Sequence, residues 1–266
     1  PTALAESNVT ATSADFSWTA GGSETAWNFE YGADGFAQGD GTGTSVDVTT
    51  NPYSLTGLDA NTAYDVFLQA DCGSGDVSPW IGPLSFTTAC NAISSFPWVE
   101  DIEASSTTVS CWSVNNNNGD TDAWTIYNST SYANSGSKSF RIYTDYNGGS
   151  NDDYLITPKL TLTGGERFKF NHRVRSSGEP NDFTVLLSTT GIAASDFTTV
   201  ILANASYSNT TYQETIIDLS AYTGDVYIAF HVPPGGLDGF YLYLDDITVE
   251  ALPSCPAPTA LAESNV

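Results

Sequence analysis

Residues 62–71 read TAYDVFLQAD, with Tyr64, Val66, Leu68 and Ala70 on one side of a two-residue period and Asp65, Phe67 and Gln69 on the other. Successive side chains of a strand point to opposite faces, so this pattern predicts a β-strand with one face in a core. The same period recurs upstream in Phe16 and Trp18, and in Trp27, Phe29 and Tyr31. Turn-forming stretches at Ala20-Gly21-Gly22, Asn51-Pro52, Asp59-Ala60-Asn61 and Gly73-Ser74-Gly75 separate the runs at the spacing of a small sandwich. Leu58 lies six residues before Tyr64. That spacing fits a tyrosine corner, in which the hydroxyl ties a chain crossover to the backbone. Residues 1–89 are therefore expected to form one β-sandwich.

Strand-like runs continue beyond residue 90 and grow longer: 124–127, 139–144, 154–157, 168–174, 183–188, 212–219, 226–232 and 241–249. Eight or more strands in this span predict a two-sheet jelly roll over residues 90–252. The whole chain is expected to be all-β, because no amphipathic helical stretch of useful length occurs. Residues 258–266, PTALAESNV, repeat residues 1–9 letter for letter. The repeat predicts a near-identical tandem array, with 253–266 serving as linker and first strand of the next copy.

Cysteines follow the same logic. Cys255 falls three residues before Pro258, the counterpart of Pro1. Each first domain in an array is then preceded by a cysteine from the copy before it, and that cysteine is expected to pair with Cys72 across the seam. Cys90 and Cys111 are expected to pair within the second domain, closing a loop worth about 3 kcal/mol in the chain-entropy view. Disulfides place the chain in an oxidising, extracellular setting.

The formal charge is −24, and all seven Lys and Arg fall between Lys138 and Arg175. Residues 1–89 hold 11 acidic groups and no Lys or Arg. So negative a chain repels phosphates, which excludes nucleic acid as a partner. No apolar run is long enough to cross a bilayer, so this segment is not expected to insert in a membrane.

The stretches EYGADGFAQGDGTGTSVDVTTNPYSLTGL and TAYDVFLQADCGSGDVSPWIGPLSFTT resemble a fibronectin type III domain of the subtype found in giant surface adhesins of gliding bacteria. The segments VEDI at 99–102, CW followed by NNNNGDTDAW, DDYLITPKLTL, FTVLLSTTG, IDLSAYTGDVYIAFHV and LDDITVE resemble the cleaved-adhesin jelly roll (MAM-like, also termed choice-of-anchor). Two departures stand out. The family's Phe-Glu-Asp-Gly opening reads Val99-Glu100-Asp101-Ile102, and its Asp-rich loop begins with Asn115–Asn118. The resemblance implies a cell-surface adhesin repeat in attachment or gliding, non-enzymatic, with neighbouring repeats and surface components, glycans among them, as partners.

The resemblance also implies a structural calcium ion. First and last strands of a jelly roll lie close in one sheet, so Glu100 is expected to meet Asp245 or Asp246. Asp101 and the loop residues Asn118, Asp120 and Asp122 are expected to add oxygens, since calcium takes six to eight. Asp245 and Asp246 should face opposite sides of their strand, leaving one of them to bind directly. Asp152 and Asp153 read as a polar turn. His172 and His231 lack a second nearby ligand, so zinc is not expected. A second reading makes the jelly roll a carbohydrate-binding module, with Tyr127, Tyr132, Tyr143, Tyr146, Tyr207, Tyr241 and Tyr243 available for stacking on sugars. Catalysis ranks last: no nucleophile motif, phosphate loop or metal–histidine cluster appears.

Overall fold

Each alternating run becomes a strand with its apolar side buried in the computed structural model, which describes residues 1–144, 151–237 and 239–254. The chain divides into two units, Pro1–Asn91 and Ala92–Val266. The first contains β1 (Thr2–Ser7), β2 (Ser13–Thr19), β3 (Ala26–Ala33), β4 (Thr44–Val48), β5 (Tyr53–Thr56), β6 (Ala63–Gly73), β7 (Asp76–Val77) and β8 (Ile81–Thr87). One sheet runs β1-β2-β5 and the other β4-β3-β6-β7, with β8 also paired to β6. Phe16 and Trp18 from the first sheet share a core with Trp27, Phe29, Val66 and Leu68 from the second. The rings of Phe16 and Phe29 meet edge-on at 5.1 Å. The Tyr64 hydroxyl accepts a hydrogen bond from the Asp59 backbone N–H at 3.0 Å, the tie expected of a tyrosine corner.

The second unit contains β9 (Trp98–Glu100), β10 (Ser113–Asn116), β11 (Thr125–Asn128), β12 (Lys138–Tyr143), β13 (Asp153–Ile156), β14 (Leu160–Leu162), β15 (Glu166–Val174), β16 (Asn181–Ser188), β17 (Thr199–Tyr207), β18 (Gln213–Asp218), β19 (Gly224–Val232) and β20 (Tyr241–Ala251). They build two six-stranded sheets. One runs β10-β13-β19-β16-β17 with β14 on β19, and the other β11-β12-β20-β15-β18 with β9 on β20. Phe168, Phe170, Leu242 and Leu244 of one sheet pack on Phe183 and Phe230 of the other. Phe170 and Phe230 meet edge-on at 4.8 Å, a contact worth about 0.5–1.5 kcal/mol beyond area burial.

Strands β9, β10, β14 and β17 escape the hydrophobic pattern. Asn115 and Asn116 look like loop residues, yet they pair with Tyr154 and Asp153 as part of an edge strand. Asp153 is therefore ladder, not turn. Here the neighbouring strand supplies the order that local propensity withholds. Cys90 and Cys111 are both disulfide-bonded, and Cys72 is a free, exposed thiol. Cys255 and Tyr146 lie outside the described residues.

Candidate functional site

Strands β12, β20 and β15 lie side by side, and alternation sorts their residues. Phe140, Ile142, Leu242, Leu244, Phe170 and Val174 enter the core. The intervening positions, Arg141, Tyr143, Tyr241, Tyr243 and Arg173, therefore occupy the other face. Register aligns them in rows. Arg141 and Arg173 flank Tyr243 on the two neighbouring strands. In the next row Tyr143 opposes Tyr241, and the Arg175 N–H donates to the Tyr241 carbonyl at 2.9 Å.

The side chains complete the face. The Arg141 guanidinium carbon lies 3.9 Å from the Tyr127 ring centre and 4.5 Å from that of Tyr241. The segment between β11 and β12 lays Tyr132 over Tyr243, with rings 4.9 Å apart and 13° from parallel. Arg173 and Arg175 both reach the Tyr132 ring, at 5.1 and 4.7 Å. The Tyr212 hydroxyl donates to the Tyr132 carbonyl at 2.6 Å and holds the segment down. At the Arg141 end, Thr121, Asp122, Thr125, Tyr143 and Tyr241 join Arg141 around a cavity of ≈ 350 Å³.

Charge pairing divides the cations, with Lys138 and three arginines of this face lacking an ion pair among the described residues. Lys159 pairs with Asp225, Arg167 with Glu250, and Lys169 with Glu214 and Glu250. Among the described residues, no carboxylate forms an ion pair with Arg141, Arg173 or Arg175. Each of these arginines instead lies against tyrosine, an interaction of about 0.5–1 kcal/mol at exposed sites; the Nε of Arg173 is buried, and Arg175 is the exposed member of the three. Five tyrosines expected to be available for sugar stacking converge here: Tyr127, Tyr132, Tyr143 and Tyr241 are partly exposed, while Tyr243 is wholly buried beneath Tyr132 and cannot stack on a sugar. Tyr207 does not; it packs against Phe183 at 4.5 Å and His172 at 4.6 Å. The arginines were not singled out in the sequence, although their signal is there in the alternation of Arg141 with Tyr143 and of Arg173 with Arg175.

The seven expected calcium ligands are engaged by different sets of protein donors. Strands β9 and β20 are neighbours as expected, but Glu100 opposes Ile247, not either aspartate. Its wholly buried carboxylate accepts from the Ile102 N–H at 2.9 Å, the Thr108 hydroxyl at 2.7 Å and the Trp112 indole at 3.2 Å. Asp101 accepts from the Glu103 N–H at 3.1 Å. Asn118, Asp120 and Asp122 form a self-bonded turn, in which Asp120 accepts from the Asn118 amide at 2.7 Å and the Asp122 N–H at 2.8 Å. No group of three or more His, Cys, Asp or Glu side chains suited to a metal forms among the described residues.

Asp245 and Asp246 work together rather than on opposite faces. A positive φ of 46° at Asp246 breaks the alternation. Asp245 accepts from the Asn134 N–H at 2.6 Å, while Asp246 accepts from the Asn134 amide and the Ser135 hydroxyl, both at 2.6 Å. Glu103, missed in the sequence, grips the same segment through the Ser137 N–H at 2.5 Å and the Lys138 N–H at 2.7 Å. Gly136 is required there: its φ is +59°, and a Cβ would strike the Glu103 carboxylate. Three acids thus fasten the segment that carries Tyr132. Burial pushes the Asp245 carboxyl up to about 7 and that of Asp153 up to about 6. Beside Asp153, Asp152 accepts from the Asn117 amide at 2.5 Å and meets the His231 ring at 2.8 Å.

The Cleaved Adhesin Domain family matches residues 99–249. Hemagglutinin A of Porphyromonas gingivalis W83 is 35% identical over 167 residues, a match covering 52% of this chain and 8% of that protein. A second Hemagglutinin A of Porphyromonas gingivalis is 31% identical over 164 residues, covering 52% of this chain and 6% of its own length. The chain thus spans less than a tenth of these curated relatives. The crystal structure of the K1 Cleaved Adhesin domain of Lys-gingipain from Porphyromonas gingivalis W83 is 25% identical. It covers 60% of this chain and 100% of its own, with a TM-score of 0.50. With more than half of its residues in the family match and its second unit folded as paired β-sheets, the chain belongs to the Cleaved Adhesin Domain family.

Proposed function

We propose that the chain is a non-enzymatic, extracellular repeat module of a bacterial cell-surface adhesin, acting in attachment or gliding. The family match across residues 99–249 carries this reading. The first unit acts as a fibronectin type III spacer; its strand order and the Tyr64 tie support that assignment. The second acts as a MAM-like jelly roll whose tyrosine–arginine face binds saccharide, and the convergence of the partly exposed Tyr127, Tyr132, Tyr143 and Tyr241 favours this over a pure spacer.

Neighbouring copies are proposed partners. Pro1 and Cys72 line the same cavity, and the repeated PTALAESNV puts a cysteine shortly before each Pro1 counterpart. In a two-copy chain oxidised by air, peptide mapping is expected to find Cys72 of the second copy bonded to Cys255 of the first. A Cys72–Cys90 bond contradicts the seam. Calcium is proposed only as a stabiliser at Asp245 and Asp246, where a cation offsets the cost of a buried carboxylate. A melting temperature equal in calcium and in chelator removes it.

The adhesive reading is tested by immobilising the purified chain and measuring retention of a saccharide panel. The wild-type chain is expected to retain saccharide, with at least tenfold loss on combining Tyr241→Ala with Arg141→Gln. Retention by no saccharide ends the carbohydrate reading and leaves the spacer role.

A further inference from the structure

We infer that the tyrosine–arginine face is a receptor site for glycans containing uronic acid residues, a refinement that rests on the carbohydrate reading above. Arg141 sits 3.9 Å above Tyr127, and Arg175 sits 4.7 Å from the Tyr132 ring centre. A sugar ring stacked on tyrosine rides at about the same height, near 3.5–4 Å, because that is the contact distance of carbon on carbon. The carboxylate of a uronic acid projects from the rim of its pyranose ring. A pyranose lying beside these guanidinium groups, against the uncovered parts of the rings, therefore brings its carboxylate within reach of N–H donors that can form paired N–H···O bonds.

The charge pattern selects the acid. Arg173 and Arg175 both close on Tyr132, so two cations share a short span, and no carboxylate pairs with either among the described residues. Acids are abundant elsewhere, at 31 Asp and Glu against seven Lys and Arg, so the gap does not reflect a shortage. An incoming carboxylate relieves the repulsion between these guanidinium groups. At the opposite end Asp122 borders the cavity beside Arg141. Its negative charge disfavours a second carboxylate at that point. The long-range field of a −24 chain repels polyanions, so uronate binding here depends on short-range contacts with the face and not on general attraction.

Isothermal titration of the full chain with trigalacturonate, with its carboxyl-reduced neutral counterpart and with sialyllactose tests the inference. Trigalacturonate is expected to bind at least tenfold more tightly than the neutral trisaccharide. Arg173→Gln combined with Arg175→Gln is expected to erase that difference, with Arg173→Lys restoring it only in part because lysine lacks the planar fork. Arg167→Gln, whose guanidinium belongs to the Glu250 pair, is expected to change nothing. Equal binding of the acidic and neutral trisaccharides overturns the uronate inference while the carbohydrate reading stands. Tighter binding of sialyllactose than trigalacturonate overturns it as well, and binding of none of the three overturns both. The ligand comparison uses the unaltered chain, so it holds even if a variant fails to fold.

Discussion

The two ends of β15 share the same neighbouring strands and treat their cations in opposite ways. At the start, Arg167 and Lys169 meet Glu250 at 2.5 and 3.1 Å. At the finish, Arg173 and Arg175 lie against tyrosine. The difference comes from β20, which offers Glu250 to one end and Tyr243 and Tyr241 to the other. Half-exposed ion pairs contribute about 0–1 kcal/mol, so the paired end gains little stability from its pairing. What the unpaired end keeps is a set of arginines with no ion-pair partner among the described residues, held against tyrosine rings tilted to one another. One sheet thus separates an ion-paired end from an unpaired end, the latter being the proposed binding end.

His172 sits between the two ends on the core side, and it gives the largest expected effect. Burial lowers its pKa from 6.5 to about 4, so the folded chain holds it neutral. The unfolded chain takes up a proton as pH falls below 6.5, and stability is lost progressively until about pH 4. The full loss is about 3 kcal/mol, from 1.36 kcal/mol per pKa unit. Asp153 and Asp245 act with the opposite sign: their raised folded values favour the protonated fold, and that stability is lost as pH rises through about 6 and about 7. Denaturant melts at pH 7 and pH 4 are expected to show wild type losing about 3 kcal/mol relative to His172→Gln. A constant difference between the two proteins across this range contradicts a neutral His172.

Asp245→Ala comes next. It strips the carboxylate from the Asn134 and Ser135 N–H groups, and hydrogen bonds to a charged group contribute about 1.5–3 kcal/mol. The binding end should loosen with it, seen as faster hydrogen exchange across residues 129–137 and unchanged exchange at Arg167 and Lys169. Tyr132→Ala is expected to cost less, about 0.5–1.5 kcal/mol for the lost stacking on Tyr243, while weakening saccharide retention severalfold. If retention survives Tyr132→Ala intact, the binding end has been misplaced. The smallest change is Arg167→Gln, at about 1 kcal/mol or less in a denaturant melt, since Lys169 still meets Glu250.

Burial on one side made much of this fold legible. Tyr64, Val66, Leu68 and Ala70, or Phe168 and Phe170, alternate because one sheet face is dry, and a period of two reports it directly. The TVILANASY run of β17 and the asparagines of β10 lack that contrast: β17 is largely exposed, and β10 is ordered by β13. The tyrosines were visible as a set, but their convergence was not, because β12, β20 and β15 are far apart in the chain and register alone aligns them. The expected meeting of Glu100 with Asp245 or Asp246 turned on a related point. Adjacency of β9 and β20 was correct, yet a single positive φ at Asp246 shifts which residue faces where, and no pattern of apolar residues encodes it.

The most direct measurement is an NMR titration of the full chain with trigalacturonate, following the side-chain Nε–H signals of its arginines. The account predicts that Arg141, Arg173 and Arg175 shift in a saturable manner while Arg167 stays still. Shifts centred on Arg167, or equal small shifts at all four, contradict a binding end distinct from the structural one.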